Sequence, residues 1–160
     1  MTNRLIENNW NWVEPSHGMR DEVLNLLSDA DLAYSPGGAN PTFGGLMREF
    51  GEVEHAYLES FKHFTQNFDY RHPDPTIATS VDRLKAWFQT MDAEMKTSIE
   101  ALTDAEIDSK TIARAGGWEA PITMQLEIYV QAILIFLGKA AVYTRALNKP
   151  LSKDYNEWIG

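Results

Sequence analysis

The spacing of apolar residues in the middle of the chain limits what it can fold into, because it follows the period of an α-helix. From residue 43 to residue 64, large apolar side chains recur every three or four positions and share one helical face. They are Phe43, Leu46, Met47, Phe50, Val53, Tyr57, Phe61 and Phe64. Thr42 stands before this run, where its hydroxyl can act as an N-cap. The segment therefore predicts an amphipathic helix with one buried side.

Three further segments show the same period, and stretches rich in helix breakers separate them. These segments cover 2–27, then from a cap at residue 79 or 80 to 102, then 122–147. Segments 35–41, 69–76 and 103–121 are predicted to connect the helices, and 154–159 to form a last short turn. Pro15 either starts a second helix within the first segment or kinks a longer one. We therefore expect a single domain, 1–160, of the all-α class with an up-and-down four-helix bundle.

Charge and composition narrow the function classes. The chain has 23 acidic and 14 basic residues and a net charge of −9, which opposes binding to nucleic acid or to an anionic membrane. It contains no cysteine, and its polar beginning lacks the apolar core of a signal peptide, so we expect a cytoplasmic protein. The apolar run 128–137 is too short to span a membrane and predicts a central helix or a homodimer interface.

Several short motifs resemble those of the DinB/YfiT-like superfamily of helical bundles. Segment 42–49 reads TFGGLMRE, and VEHAYL follows at 53–58. Further along, Trp118 precedes PIT at 121–123, and LGK at 137–139 precedes VYTRAL at 142–147. The order and spacing of these motifs resemble the second and last long helices of that superfamily.

The resemblance implies a divalent metal held by three histidines, and in some members the transfer of thiols such as bacillithiol or mycothiol. The matching positions here are Glu49, Ala132 and Phe136. Alanine and phenylalanine offer no ligand atom, so we expect no metal and no cofactor. The alternative is a metal recruited by Glu49 with other residues.

A pocket between the second and fourth predicted helices is the candidate site. Glu54 falls inside the apolar stripe, so its carboxyl must be paired, hydrogen-bonded or protonated. Either a Tyr, Trp or Arg holds it as a structural group, or it binds a ligand or transfers a proton. Glu49 and Lys139 are expected to border the same cavity, either as a network that replaces the metal or as side chains that reach solvent. The remaining pocket candidates are Trp118, Ala132, Phe136 and Tyr143.

The four histidines are predicted to lie away from this pocket. His55, Glu59 and His63 have a spacing that can serve a metal, but they lie opposite the apolar face and are interpreted as solvated. His17 and His72 stand near prolines and are predicted to be surface residues.

Three functions follow as hypotheses. The first is a metal-free bundle that binds a small ligand or a protein partner in the pocket. The second is a divergent enzyme of the thiol transferase or hydrolase class that uses Glu49 or Glu54 as an acid–base group and Lys139 to stabilise an anion. The third is an accessory protein that acts through its acidic surface. A polar cavity at Glu49, Glu54 and Lys139 would favour ligand binding or catalysis. A filled core at these residues would favour the accessory protein.

Overall fold

A computed structural model describes residues 2–160, so Met1 of the predicted domain lies outside the described residues. Helix makes up 72% of the structure and strand 4%, which confirms the all-α class. The elements in chain order are α1 (Arg4–Leu26), a 3-10 helix (Asp29–Ala33), α2 (Phe43–His63), a 3-10 helix (Pro75–Thr79), α3 (Val81–Glu100), α4 (Asp104–Ser109), β1 (Thr111–Ala113), a 3-10 turn (Ala115–Gly117), β2 (Glu119–Pro121), α5 (Ile122–Ala146) and α6 (Lys153–Ile159).

Helix α1 is one continuous helix that passes through Pro15. Of the two alternatives for this segment, the structure shows the single long helix. Asn3 caps it, because the side-chain oxygen of Asn3 accepts hydrogen bonds from the N–H groups of Leu5 and Ile6. The amide nitrogen of Asn3 donates to the carbonyls of Ile99 and Leu102, at 2.5 and 2.8 Å. The cap therefore ties the start of α1 to the end of α3.

The predicted caps of the next two helices are confirmed in part. Thr42 caps α2 by accepting a hydrogen bond from the N–H of Gly45 at 3.1 Å. Ser80 is the cap of α3, whereas Thr79 ends the preceding 3-10 helix. At its other end α2 stops at Phe64, whose φ of 56° is left-handed and cannot continue a right-handed helix.

The four long helices share one core. Helices α1 and α2 each pack against both α3 and α5. Phe43, Phe50 and Phe61 from α2 are fully buried in this core, as the apolar stripe predicted. The lateral packing is close, because a Cβ on Gly44 of α2 would overlap the carbonyl oxygen of Ala78.

The segment 103–121 corrects one prediction. It is not a bare connector, because it contains α4 and an antiparallel β-hairpin in which Ile112 pairs with Ala120. Both residues are buried, and Gly116 and Gly117 turn the chain with φ of 82° and 79°. Each strand has only three residues, too few for the alternating pattern that marks a strand in a sequence.

Helix α5 is long and apolar enough to cross a membrane by length and composition alone. However, 44% of its most apolar 18-residue window is buried inside the structure. A core helix passes the same test of length and composition. Its outer side exposes Met124, Ile135 and Val142.

Candidate functional site

A buried guanidinium lies at the centre of a polar cluster that joins α1, α2 and α3. The side chain of Arg20 is 0% exposed. Its Nη1 donates to the two carboxylate oxygens of Glu54 at 3.1 and 2.9 Å and to Oδ1 of Asp92 at 3.1 Å. Its Nη2 donates to Asp92 at 2.6 Å and to Asp21 at 3.0 Å. Burial alone would favour the neutral form, but these carboxylates raise the pKa of Arg20 above its ordinary value.

A chain of hydrogen bonds extends the cluster to α5. Nδ1 of His17 lies 3.2 Å from Oδ1 of Asp92, and Nε2 of the same ring lies 2.7 Å from the hydroxyl of Tyr129. That hydroxyl is 3.2 Å from Oε2 of Glu54. The groups therefore form a path from Asp92 through His17 and Tyr129 to Glu54, with one residue from each long helix.

The number of protons in this path sets its charge. Two hydrogen bonds join His17, Tyr129 and Glu54, and a neutral imidazole with its proton on Nε2 and a tyrosine hydroxyl supply both protons. Burial raises the pKa of Glu54 to about 7, although the charge of Arg20 opposes this. Burial, together with Arg20, lowers the pKa of His17 well below its ordinary value of 6.5. Glu54 therefore takes up a proton as the pH falls below about 7, and in its ionised form it accepts a hydrogen bond from the Tyr129 hydroxyl, which accepts one from Nε2 of His17.

Replacing Glu54 with Gln should remove one component of the pH dependence of stability. A carboxyl whose pKa rises on folding stabilises the fold below its unfolded value, here 4.5, and loses that contribution as the pH rises through about 7. We expect wild type to lose on the order of 3 kcal/mol of unfolding free energy relative to E54Q between pH 4.5 and 8. Urea unfolding of both proteins across this range measures the difference.

His17 has the opposite dependence, because its lowered pKa stabilises the fold above pH 6.5 and that contribution is lost as the pH falls. This contribution of His17 is present in wild type and in E54Q alike, so the difference in stability between the two proteins reports the contribution of Glu54. A difference between them that stays constant from pH 4.5 to 8 would show that Glu54 does not take up the proton.

A cleft between α1 and α3 gives solvent access to the cluster. It has a volume of about 370 Å³. Its walls include Trp10, Glu14, His17 and Asp21 from α1 and Asp92 and Lys96 from α3. His17 is buried and Asp92 is 22% exposed, so the hydrogen-bonded path starts at the cleft wall and ends at the fully enclosed Glu54. Such an arrangement can bind a small polar molecule and exchange a proton with it.

Glu54 is paired and hydrogen-bonded, as its position inside the apolar stripe of α2 predicted. Its side chain is 2% exposed and is held by an arginine, Arg20, and a tyrosine, Tyr129. These contacts fit a structural glutamate, and the neighbouring cleft also gives it access to proton transfer. Of the pocket candidates predicted from the sequence, Glu54 is the one that lies in the polar cluster.

The other candidates lie outside this polar cluster. The ring of Phe136 stacks on Phe50 with centroids 4.8 Å apart, which places aromatic carbon between α2 and α5. Glu49 is exposed, and no ion pair joins it to Lys139 among residues 2–160. The ammonium of Lys139 lies 4.5 Å from the centre of the Phe136 ring.

Ala132, Tyr143 and Trp118 occupy three different environments. Ala132 is half-buried against the core. The buried Tyr143 donates its hydroxyl proton to the carbonyl of Pro41 at 3.0 Å. Trp118 lies in the β-hairpin, 47% exposed, with the guanidinium of Arg114 5.2 Å from its ring.

The positions that the resemblance aligns with metal-binding histidines do not fit a metal. Glu49 supplies one exposed carboxylate, Ala132 supplies no donor, and Phe136 supplies a ring packed in the core. A different set of donors lies elsewhere, because one ligand atom from each of His17, Glu54 and Asp92 lies within 4.8 Å of the others. Arg20 already binds both of these carboxylates.

The prediction that His17 lies on the surface was wrong, since only 6% of this residue is exposed. His72 is half-buried and packs edge-on against Trp87. The solvated-face interpretation holds for His63, which is 69% exposed in its side chain, but His55 is half-buried and stacks on Tyr70 with ring centroids 3.6 Å apart. The loop that carries Tyr70 covers part of the face that the sequence assigned to solvent.

Arg20, Asp92 and Tyr129 were not among the residues predicted from the sequence. A signal for Arg20 was present, because it follows Trp10, Val13 and His17 at helical spacing, as a polar residue inside an apolar stripe. Asp92 stands beside the core residue Met91 and carries no comparable signal. Tyr129 is indistinguishable in sequence from the apolar residues around it.

Comparison of the chain with protein-family models, with curated proteins and with solved structures gave no significant match.

Proposed function

We propose that this chain is a divergent, metal-free, DinB/YfiT-like bundle of the up-and-down four-helix type that binds a small ligand. The motif order supports the family, and the packing of α1 and α2 against both α3 and α5 supports the bundle. The sequence placed the pocket between α2 and α5. We place the ligand instead in the cleft between α1 and α3, because Phe136 takes up space between α2 and α5.

One observation carries this proposal: the cleft opens directly onto a buried, hydrogen-bonded network of charged groups. Stability alone does not favour such a network, because burying charges costs several kcal/mol per ion and apolar residues of the same volume often do better. Ligand sites characteristically combine a concave surface with a few fixed polar groups. The Asp92–His17 pair at the cleft wall fits that description.

The charge of the cleft indicates the class of ligand. Glu14, Asp21 and Asp92 contribute three carboxylates to the wall; Asp21 and Asp92 are paired with the buried Arg20, and Lys96 contributes the ammonium of the wall. The ammonium of Lys96 lies 5.8 Å from the centre of the Trp10 ring, so this aromatic face already accepts a cation. We propose that the ligand is a small organic cation, such as an amine.

Substitution of Ala93 tests the location. Ala93 is an exposed residue of the cleft wall, and Ala86 is an exposed alanine two helical turns earlier on the same helix and is not a cleft residue. We expect A93W to weaken binding of an amine probe at least about tenfold by filling the cleft, and A86W to leave it unchanged. Calorimetric titration with spermidine, agmatine and choline measures binding, and citrate serves as an anionic control.

Two results would contradict the proposal. One is the absence of binding of any of the three amines to wild type at millimolar concentration. The other is binding that A93W and A86W reduce equally, because the ligand would then lie outside the cleft.

A second candidate function is an acid–base enzyme of the thiol transferase or hydrolase class. The path from Asp92 to Glu54 favours it, because a carboxyl with a pKa of about 7 suits proton transfer near neutral pH. In this version Glu54 acts through Tyr129 and His17. The version with Glu49, Lys139 and a recruited metal lacks a comparable network. E54Q separates the candidates, since an enzyme loses turnover with this change while a binding protein keeps its affinity.

We further propose that the protein is a cytoplasmic homodimer without nucleic-acid or membrane partners. The net charge of −9 supports the lack of anionic partners. Ile135 and Val142 on the outer side of α5 are 61% and 58% exposed and supply an apolar contact for a second copy. Light scattering that gives the 18.2 kDa mass of one chain at high protein concentration would exclude the dimer.

A further inference from the structure

We infer that His17, Glu54 and Asp92 form a divalent-cation site in which the guanidinium of Arg20 takes the place of the cation. Removing the Arg20 side chain should therefore turn this protein into a metal-binding one. The site lies among α1, α2 and α3, away from the α2 and α5 positions to which the resemblance points.

The donor atoms are close enough to share one ion. One atom from each of the three residues lies within 4.8 Å of the other two. A metal with ligand distances of about 2.0–2.2 Å places neighbouring donor atoms about 3–3.5 Å apart. Nδ1 of His17 and Oδ1 of Asp92 already have that separation, at 3.2 Å. Glu54 lies within 4.8 Å of both other donors and has to move closer to complete the set.

Arg20 behaves as the bound cation of this site. Its Nη1 contacts Glu54 and Asp92 together, at 2.9 Å from one carboxylate oxygen and 3.1 Å from the other. A metal ion between these carboxylates would lie against a fixed positive charge that has no exposed surface through which to leave. The wild-type protein is therefore expected to exclude a divalent cation by charge and by volume.

The surroundings of the donors are also those of a metal site. Tyr129 contacts Nε2 of His17 at 2.7 Å and Oε2 of Glu54 at 3.2 Å, so it orients two of the three ligands from behind. Outer contacts of this kind fix ring orientation and tautomer in metal sites. With the proton on Nε2, the lone pair of Nδ1 faces the cation position. The cleft supplies an entry path, because His17 and Asp92 line its wall.

The donor set indicates which ions to test. One imidazole nitrogen and two carboxylates suit borderline and hard divalent ions such as Zn²⁺, Mn²⁺ and Co²⁺. Co²⁺ is the best probe, because its visible absorption reports the number and type of its ligands as well as its binding.

The test compares Co²⁺ binding by wild type, R20A and the double variant R20A/H17A. We expect R20A to bind about one equivalent and to show a visible spectrum with nitrogen ligation. Wild type should bind none, and R20A/H17A should bind at least about tenfold more weakly than R20A. Thermal unfolding should shift upward with Co²⁺ in R20A alone.

Other outcomes overturn the inference. They are stoichiometric binding by wild type, no binding by folded R20A, or equal binding by R20A and R20A/H17A. If R20A is unfolded without metal, circular dichroism during a Co²⁺ titration measures whether metal binding refolds it. Refolding at about one equivalent in R20A but not in R20A/H17A supports the site. Failure of R20A to refold with Co²⁺ contradicts it.

Discussion

Replacing Arg20 with Met should lower the free energy of unfolding by about 3–5 kcal/mol at pH 8. The side chain of Met replaces the aliphatic part of Arg20 but carries no guanidinium, so Glu54 and Asp92 lose the cation to which both are bonded. A buried carboxylate without a partner is among the most costly features that a single substitution can create. Urea unfolding followed by far-UV circular dichroism measures the change.

The loss should be smaller at pH 5 than at pH 8. Burial raises the pKa of Glu54 to about 7, so at pH 5 this carboxyl carries a proton and depends less on Arg20. Arg145 provides a matched control, because it is an exposed arginine whose guanidinium, within residues 2–160, hydrogen-bonds to Asn156 alone. R145M should change stability by less than about 1 kcal/mol. If R20M costs no more than R145M at pH 8, the buried network does not stabilise the fold.

Replacing Gly44 with Ala should lower the free energy of unfolding by about 3 kcal/mol, at the upper end of the usual cost of overpacking. The added Cβ would overlap the carbonyl oxygen of Ala78 and lie 3.3 Å from Cβ of Leu32. Ala78 belongs to the 3-10 helix that leads into α3, and its oxygen is a backbone atom. The overlap can therefore be relieved only by moving one element relative to another.

Gly138 of α5 is the matched control for this change. It is also a helical glycine, but apart from the adjacent backbone of α5 a Cβ there would meet no atom of the described residues within 4 Å. G138A should therefore stabilise the protein by about 0.5–1 kcal/mol, the usual gain from alanine in a helix interior. The two substitutions are therefore expected to change the free energy of unfolding in opposite directions. A G44A protein as stable as wild type would show that the contact between α2 and the segment 75–79 is looser than described.

The rule that predicts a buried partner for Glu54 applies equally to α1. A charged residue inside an apolar stripe must have partners, and Glu54 met that description on α2. His17 and Arg20 meet it on α1, where Val13 precedes them and Leu24 follows at helical spacing. Pro15 concealed the pattern, because a break at this position would divide the stripe into two shorter ones. The continuous helix restores it.

The identity of the partners could not be predicted in the same way. Arg20 and Asp92 are 72 positions apart, and Tyr129 is 75 positions from Glu54. Which side chains meet across such separations depends on how far each helix is rotated about its own axis and shifted along it. A sequence period gives the buried face of a helix to within about one residue, which is coarser than a hydrogen bond requires.

The sequence by itself determined the four long helices, the cap at Thr42 and the need of Glu54 for a partner, because these follow from local spacing and local hydrogen bonding. Only the tertiary structure decided that Arg20 is the partner, that His17 is buried, and that α1 and α3 form the cleft. It also decided that residues 111–121 form a hairpin. These features are contacts between residues of different elements that are distant in sequence. No local interaction holds such residues together, so the packing of the whole core decides which of them come into contact.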